Sequence, residues 1–333
     1  MQIQRYEKNP IVLPGTYDWR RVATFNPACI LDNGTFYMFE RACSGLKPLQ
    51  CRIGLLKSDD GFCFTHVSQQ PVFTPEQLGC PAGTIEDPRV TKIDGIYYMI
   101  FAHRPFNYNC YPTGIAEPVY TPLIGRMFEG INLTRSGIAV SHNLTDWEFL
   151  SWITPPDVDD RDNVLFPEKI GGRYAMLRRP MGYVGEAYGC DGPSIWISYS
   201  DDLTQWSEPK LVAVPEQDWE GGKIGAAAPP ILTDAGWLAF YHGVDEQVVY
   251  RVGVMLLDRE HPETVIARSP EYIMEPQEYY EKVGLIIPNV VFPTAAVVKD
   301  GLLYLYYGCA DTCISVATVM LEDILDYVLQ FPK

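Results

Sequence analysis

The chain has 333 residues, 20% charged and 13% aromatic, with a formal net charge of -16. That acidic balance argues against nucleic acid or an anionic membrane as partner, and any anionic substrate must be held by a local cluster of cations. Nine Cys at irregular spacings, with no second pair or nearby His to complete a metal set, read as buried free thiols, so no metal site and no cofactor are expected.

The N-terminal run Met1-Gln2-Ile3-Gln4-Arg5-Tyr6 has no apolar signal core, and no segment approaches membrane-spanning length, so a cytoplasmic enzyme is expected. Residues 1–25 read as an arm or as the strand that closes the last blade of a propeller. Five imperfect repeats follow. Each opens on a proline-bearing strand start: Asn26-Pro27-Ala28, Glu86-Asp87-Pro88-Arg89, Phe166-Pro167-Glu168, Ala228-Pro229-Pro230 and Phe292-Pro293-Thr294. A glycine turn and an aromatic-rich run come next, as in Gly34-Thr35-Phe36-Tyr37 or Gly236-Trp237-Leu238-Ala239, and then a third apolar run such as Arg52-Ile53-Gly54-Leu55 or Arg251-Val252-Gly253-Val254. Short strands at this period predict an all-β fold, one five-bladed β-propeller spanning 1–333.

Two repeats end on Ser141-His142-Asn143-Leu144-Thr145-Asp146-Trp147 and Ser200-Asp201-Asp202-Leu203-Thr204-Gln205-Trp206, where the Asn or Asp caps its own turn. The segment 103–135 breaks the rhythm and reads as a lid-like loop beside the pocket mouth. Apolar residues at 321, 324, 325, 328 and 329 predict a short C-terminal helix over 320–330. The arm and this helix are natural contact elements for a homo-oligomer.

The first strand of each propeller blade lines the axis, so the strand starts face one another and bring Asn26, Glu86, Asp87, Glu168 and Thr294 together. Arg41, Arg161, Arg178, Arg179, Lys223, His242 and Asp311 join them. Asp87 is the most pointed acid, because Pro88 fixes the backbone beside it; the plainer reading is an Asp that bonds a turn amide or pairs with Arg89. Each cation alone is more often a solvated charge. Several converging on one pocket of an acidic protein need an anion, and Arg forks with a Lys point charge suit phosphate or carboxylate. Sugar hydrolysis usually needs two carboxyls. One well-placed acid opposite a cationic set points instead to a bound anion as nucleophile, hence to phosphorolysis.

Six motifs in order along the chain resemble those of glycoside hydrolase family 130, the β-mannoside phosphorylases: Glu86-Asp87-Pro88-Arg89, Leu165-Phe166-Pro167-Glu168-Lys169-Ile170, Met176-Leu177-Arg178-Arg179-Pro180, Lys223-Ile224-Gly225-Ala226, Tyr241-His242-Gly243 and Tyr306-Tyr307-Gly308-Cys309-Ala310-Asp311-Thr312. The resemblance implies a five-bladed propeller and inverting phosphorolysis of a β-mannoside to α-mannose 1-phosphate. It makes Asp87 the general acid, acting through the 3-hydroxyl of the mannosyl unit. It assigns Arg161, Arg179, Lys223, His242 and Tyr250 to phosphate, and Asn26, Arg41, Arg52 and Asp311 to the sugar. Arg178 stands where many members have His. The acceptor stays open among mannosyl-N-acetylglucosamine, which is preferred, mannosyl-glucose and β-1,4- or β-1,2-linked manno-oligosaccharides. A β-mannosidase on the same fold, using Glu168 or another pocket Glu as base, and a non-catalytic carbohydrate-binding propeller are the competing readings.

Overall fold

The computed structural model describes residues 1, 3–106 and 132–333, together with the backbone of 119–121 and 126–128. Five antiparallel sheets form the blades. Blade I runs from its inner to its outer strand through Ala23–Asp32, Thr35–Cys43, Cys51–Ser58 and Thr65–His66. Blade II comprises Thr84–Ile93, Ile96–Arg104, Arg135–Ser141 and Glu148–Trp152. Blade III comprises Asp160–Leu165, Tyr174–Pro180, Ile195–Ser200 and Lys210–Ala213. In blade IV the inner position is split between Lys223–Ala226 and Ile231–Thr233, which both pair with Gly236–Val244; Tyr250–Leu257 and Val265–Arg268 follow. Blade V is Val291–Lys299, Leu302–Cys309 and Cys313–Met320, and its outermost strand is Gln4–Arg5 from the other end of the chain.

The ring closes because each blade is apolar on both faces and every interface is filled. Phe39, Ile53, Met99 and Phe101 pack between blades I and II; Ile100, Ile138, Leu165 and Met176 between II and III. Val164, Leu177, Trp237 and Met255 fill the III–IV interface, and Phe240, Val254, Leu303 and Leu305 the IV–V interface. Phe36, Met38, Tyr306 and Val316 join V back to I. Strands buried on both faces explain the near-continuous apolar runs; Gly236–Val244 is buried at every position. The C-terminal helix, Leu321–Val328, presses fully buried Ile324 and Val328 into the IV–V core. Helix spacing and arm are thus used within the chain.

The hairpin motifs serve as turns. Asn143 Oδ1 accepts from the amides of Thr145 (3.0 Å) and Asp146 (2.9 Å), and Asp202 Oδ1 from those of Thr204 (2.8 Å) and Gln205 (2.9 Å). The lid-like loop expected over 103–135 falls mostly outside the described residues; within it Val119–Thr121 pairs with Arg126–Phe128. The eight described cysteines are free thiols.

Buried Glu side chains staple the linkers between blades. Glu220 accepts from Tyr241 Oη (2.7 Å) and Arg268 Nη2 (2.9 Å), and its other oxygen takes the amides of Glu216 (2.8 Å) and Gln217 (3.1 Å). Glu281 repeats the pattern with Tyr307 Oη (2.9 Å), Arg5 Nε (2.8 Å) and the amides of Gln277 (2.8 Å) and Glu278 (3.0 Å). Through Arg5 this second staple holds the closing strand. Glu281→Ala strands Arg5 and Tyr307 and should cost about 3–5 kcal/mol; urea denaturation would report it as a lowered midpoint.

Candidate functional site

Four inner strands break register just inside their starts, and three of these slips build the site. The three lie between Phe25 and Ala28, between Glu86 and Arg89, and between Arg161 and Val164. Each slip is a bulge holding one residue in the left-handed region: Asn26 at φ 46°, Asp87 at φ 50° and Asp162 at φ 57°. Asn and Asp are the non-glycine residues that occupy this region most readily, and a bulge re-aims a side chain that the ladder would send to a blade face. Blade V slips between Pro293 and Ala295, where Thr294 Oγ1 donates to the Pro27 carbonyl (2.6 Å) and ties blade V to blade I.

One half of the site is acidic and gathers around Arg41. Arg41 Nη1 donates to Asp87 Oδ1 at 2.7 Å, its Nη2 lies 3.3 Å from Glu86, and Asn26 Nδ2 donates to the same Asp87 oxygen at 2.8 Å. Burial opposes ionisation of Asp87, but the charges of Arg41 and Arg89 and the bond from Asn26 outweigh it and hold the carboxyl below its ordinary value. Asp311 sits in the turn after Leu302–Cys309 at φ 51°. Burial, aided by the charges of Asp87 and Glu86 and opposed by Arg41, pushes its carboxyl up to about 7. Gly308 permits this crowding, since a Cβ there would stand 2.0 Å from Asn26 Oδ1.

The other half is cationic and lies between blades III and IV. Arg179 Nε donates to Asp162 Oδ2 at 2.8 Å, and Nη2 binds the same oxygen. Arg161 is held by Asp159 at 2.8 and 2.5 Å, with Asp162 and Glu86 close enough to act on its charge. Lys223 Nζ donates to Tyr250 Oη at 3.0 Å, and Tyr250 stacks on His242 with centroids 5.9 Å apart. His242 is fully buried, its Nε2 is 3.5 Å from Asp162, and neither ring nitrogen has a hydrogen-bond partner among the described residues. Burial pushes its imidazole well below the ordinary value; Asp162 opposes this, while Arg179, Lys223 and Arg89 add to it. A buried neutral ring with two unsatisfied nitrogens among cations is a place prepared for a ligand.

Arg89 bridges the halves: Nη1 donates to the Asp87 carbonyl (2.9 Å), Nε to the Ala227 carbonyl (3.1 Å), and Nη2 lies 3.4 Å from Asp162.

The structure thus draws Asn26, Arg41, Asp87 and Asp311 into one half and Arg161, Arg179, Lys223, His242 and Tyr250 into the other. Three expected neighbours go elsewhere. Arg52 bonds Gln50 (3.1 Å) and Glu76 (3.2 Å) at the rim, because it sits one residue out of phase with Arg41's strand partner Ile53. Arg178 turns to the opposite blade face from Arg179, where Asp160 takes its Nε at 2.8 Å. Glu168 is exposed in the turn beyond the inner strand, at the far end from the Asp162 bulge. The proline of the third repeat marks that turn, whereas the strand start equivalent to Asp87-Pro88 is Asp162-Asn163. Asp162 and the Arg89 bridge are therefore absent from the sequence reading; aligning bulge residues instead of prolines would have found Asp162.

A Cβ on Gly225 would stand 2.5 Å from His242 Cε1, 2.7 Å from Arg179 Nε and 2.7 Å from Asp162 Oδ2. Gly225→Ala should displace the cationic half, weakening binding of inorganic phosphate by about tenfold or more, while the melting temperature falls by only a few degrees. Titration calorimetry and a thermal scan check the two expectations.

The model of a family described as β-1,4-mannooligosaccharide phosphorylase matches residues 2–330. The chain is 38% identical over 332 residues to a 1,2-β-oligomannan phosphorylase of Thermoanaerobacter sp. (strain X514), covering 97% of this chain and 99% of that protein. It is 43% identical over 174 residues to a β-1,4-mannooligosaccharide phosphorylase of Ruminococcus albus, covering 51% of this chain and 50% of that one. Among solved structures, the β-1,2-mannobiose phosphorylase of Listeria innocua superposes with a TM-score of 0.77 at 24% identity, over 98% of this chain and 99% of that chain, and so shares its fold. With a family model matched from end to end and a full-length relative at that identity, the chain belongs to glycoside hydrolase family 130, the mannoside phosphorylases.

Proposed function

We propose that the protein cleaves a β-mannoside with inorganic phosphate, releasing α-mannose 1-phosphate and the acceptor sugar. The observation that carries this reading is the division of the site. A half-buried carboxyl, Asp87, stands with Arg41 and Asn26 on one side. Across Arg89 stands a cationic group that includes the buried ring of His242, unpartnered among the described residues. An inverting hydrolase would need a second carboxylate there to activate water. The acids in that half, Asp159 and Asp162, are already committed to Arg161 and Arg179, and Glu168 is exposed on a distant turn.

In the proposed reaction Asn26, Arg41 and Asp311 hold the mannosyl unit. Arg161, Arg179, Lys223, His242 and Tyr250 hold phosphate on the opposite face of its anomeric carbon. A phosphate oxygen forms the new bond as the glycosidic bond breaks, and Asp87, acting in its protonated form, passes a proton through the 3-hydroxyl of the mannosyl unit to the departing oxygen. The relative matched over its whole length is named for a β-1,2-linked substrate, which supports a β-1,2-linked mannoside ahead of the β-1,4-linked alternatives.

Turnover of β-mannobiose should require phosphate and yield mannose 1-phosphate; equal release of free mannose in phosphate-free buffer would overturn the reading. Asp87→Asn should lower kcat by about 10²–10⁴-fold and leave phosphate binding intact by calorimetry. In the reverse direction, a panel of acceptors with mannose 1-phosphate as donor assigns linkage by the product formed.

A pH dependence follows from Asp311. Its carboxyl, pushed up to about 7, is protonated below that pH and ionised above it. Once ionised, it joins Glu86 and Asp87 as a third anion around Arg41, and the acidic half holds one proton fewer. kcat/KM for the mannoside should therefore fall as pH rises through about 7. Asp311→Asn should remove that limb from the profile, while the limb due to phosphate's own ionisation remains in both proteins.

A further inference from the structure

We propose that Asp162 is a positioning residue of this reaction: its carboxylate fixes Arg179 toward the phosphate site and, through Arg89, ties that site to the strand that carries Asp87. The proposal rests on the phosphorolysis reading and assigns a role within it to a residue that would not itself touch phosphate.

A carboxylate among anion-binding cations needs a reason. Asp162 is a buried negative charge, and by electrostatics alone it lowers the affinity of the site for phosphate. Its geometry supplies the reason. Arg179 offers the Nε–Nη2 edge of its guanidinium to Asp162 Oδ2. The remaining edge, Nη1–Nη2, meets among the described residues the weakly accepting thioether of Met181 alone. A planar fork held along one edge presents the other in a fixed direction, the pre-organisation that two oxygens of an anion require.

The second oxygen reaches further. Asp162 Oδ1 lies 3.4 Å from Arg89 Nη2. Arg89 in turn donates to the carbonyl of Asp87 at 2.9 Å and to that of Ala227 at 3.1 Å. Blades II, III and IV are thus fixed to one another at the site by a single buried charge pair. An in-line attack demands a set distance between the nucleophile's oxygens and the mannosyl carbon, and this pair spans the two halves that set it. Asp162 also lies 3.5 Å from His242 Nε2, so the same carboxylate faces a second member of the phosphate group.

The test is a split between kcat and KM. Asn tolerates the positive φ of Asp162 and matches its shape, so Asp162→Asn keeps the bulge while removing the charge. In phosphorolysis of β-mannobiose, kcat should fall by about 10²-fold, phosphate KM should stay level or drop, and mannoside KM should be unchanged. Arg89→Lys, which keeps the charge but loses the fork, should also lower kcat with phosphate KM held within about threefold. Calorimetric titration with inorganic phosphate, without mannoside, should give Asp162→Asn a Kd no weaker than that of the wild type.

Wild-type kcat in Asp162→Asn would overturn the proposal. So would a phosphate KM raised tenfold at unchanged kcat, which would make Asp162 a direct phosphate ligand. If Asp162→Asn does not fold, as judged by near-UV circular dichroism, Arg89→Lys decides: wild-type kcat there overturns the proposal. Failure of the underlying reading is seen separately, in the wild type, as turnover without phosphate and no phosphate binding.

Discussion

A propeller blade buries both faces against its neighbours, and a regular strand sends all its side chains to those faces. A short side chain that must act on the axis therefore needs a break in the ladder, whereas longer ones such as Arg41 and His242 reach the site from paired positions. The inner strands of blades I, II and III solve this by breaking register within their first few residues, and the rest of the site follows from that break. A bulge with φ near 50° restricts the side chain to Asn, Asp or Gly at modest cost, and Asn26, Asp87 and Asp162 occupy the three positions. The backbone requirement and the chemical requirement select the same short polar residues. Proline after Asn26 and Asp87 stiffens the bulge, since its ring removes one torsion and its missing N–H belongs at a place where pairing has already been lost.

The second organising feature is charge balance without solvent. No cation of the site depends on water alone: Arg41 faces Asp87 and Glu86, Arg161 faces Asp159, and Arg179 faces Asp162. An unpaired guanidinium buried to this degree would cost several kcal/mol, so each carboxylate offsets a desolvation penalty before any substrate arrives. A chain carrying a formal net charge of -16 can supply such partners readily. In this protein the overall acidity and the local cationic site are parts of one arrangement, because the acids that make the chain anionic also keep the clamp in place.

Much of this was legible in the sequence. The five aromatic-rich runs follow from strands buried on both sides, and Asp87 stood out because Pro88 marked its bulge. The cations of the third and fourth repeats were recognisable from their residue types. What remained hidden depends on register. Arg178 and Arg179 are adjacent and chemically identical, yet strand alternation sends one to Asp160 between blades II and III and the other to Asp162 at the axis. Ile53 pairs with Arg41, and so Arg52 faces away toward Glu76. The third repeat carries its proline at the outer turn and an Asn after its bulge, so punctuation by proline pointed to exposed Glu168 and passed over Asp162. Gly225 and Gly308 stand in two of the six motifs, but their residue type alone does not show that a Cβ at either would run into the neighbouring blade.

The two halves of the site also divide the labour of protonation. In the cationic half, burial and three neighbouring cations keep His242 neutral, so the ring meets an incoming anion with one donor and one acceptor nitrogen and adds no charge. In the acidic half, the same physical terms give opposite results on two carboxyls. Asp87 has Arg41, Arg89 and Asn26 to stabilise its charge and sits below its ordinary value; Asp311 has Arg41 and the Ile287 amide, which burial and two neighbouring acids outweigh. Carboxyls whose environments push them apart are how one site holds both a proton and a place to put it. A mannosyl unit seated between Asp311 and Asp87 would bring its hydroxyls into that imbalance, and hydroxyls both donate and accept. In the proposed reaction the proton from Asp87 then reaches the departing oxygen through a hydroxyl of the sugar itself.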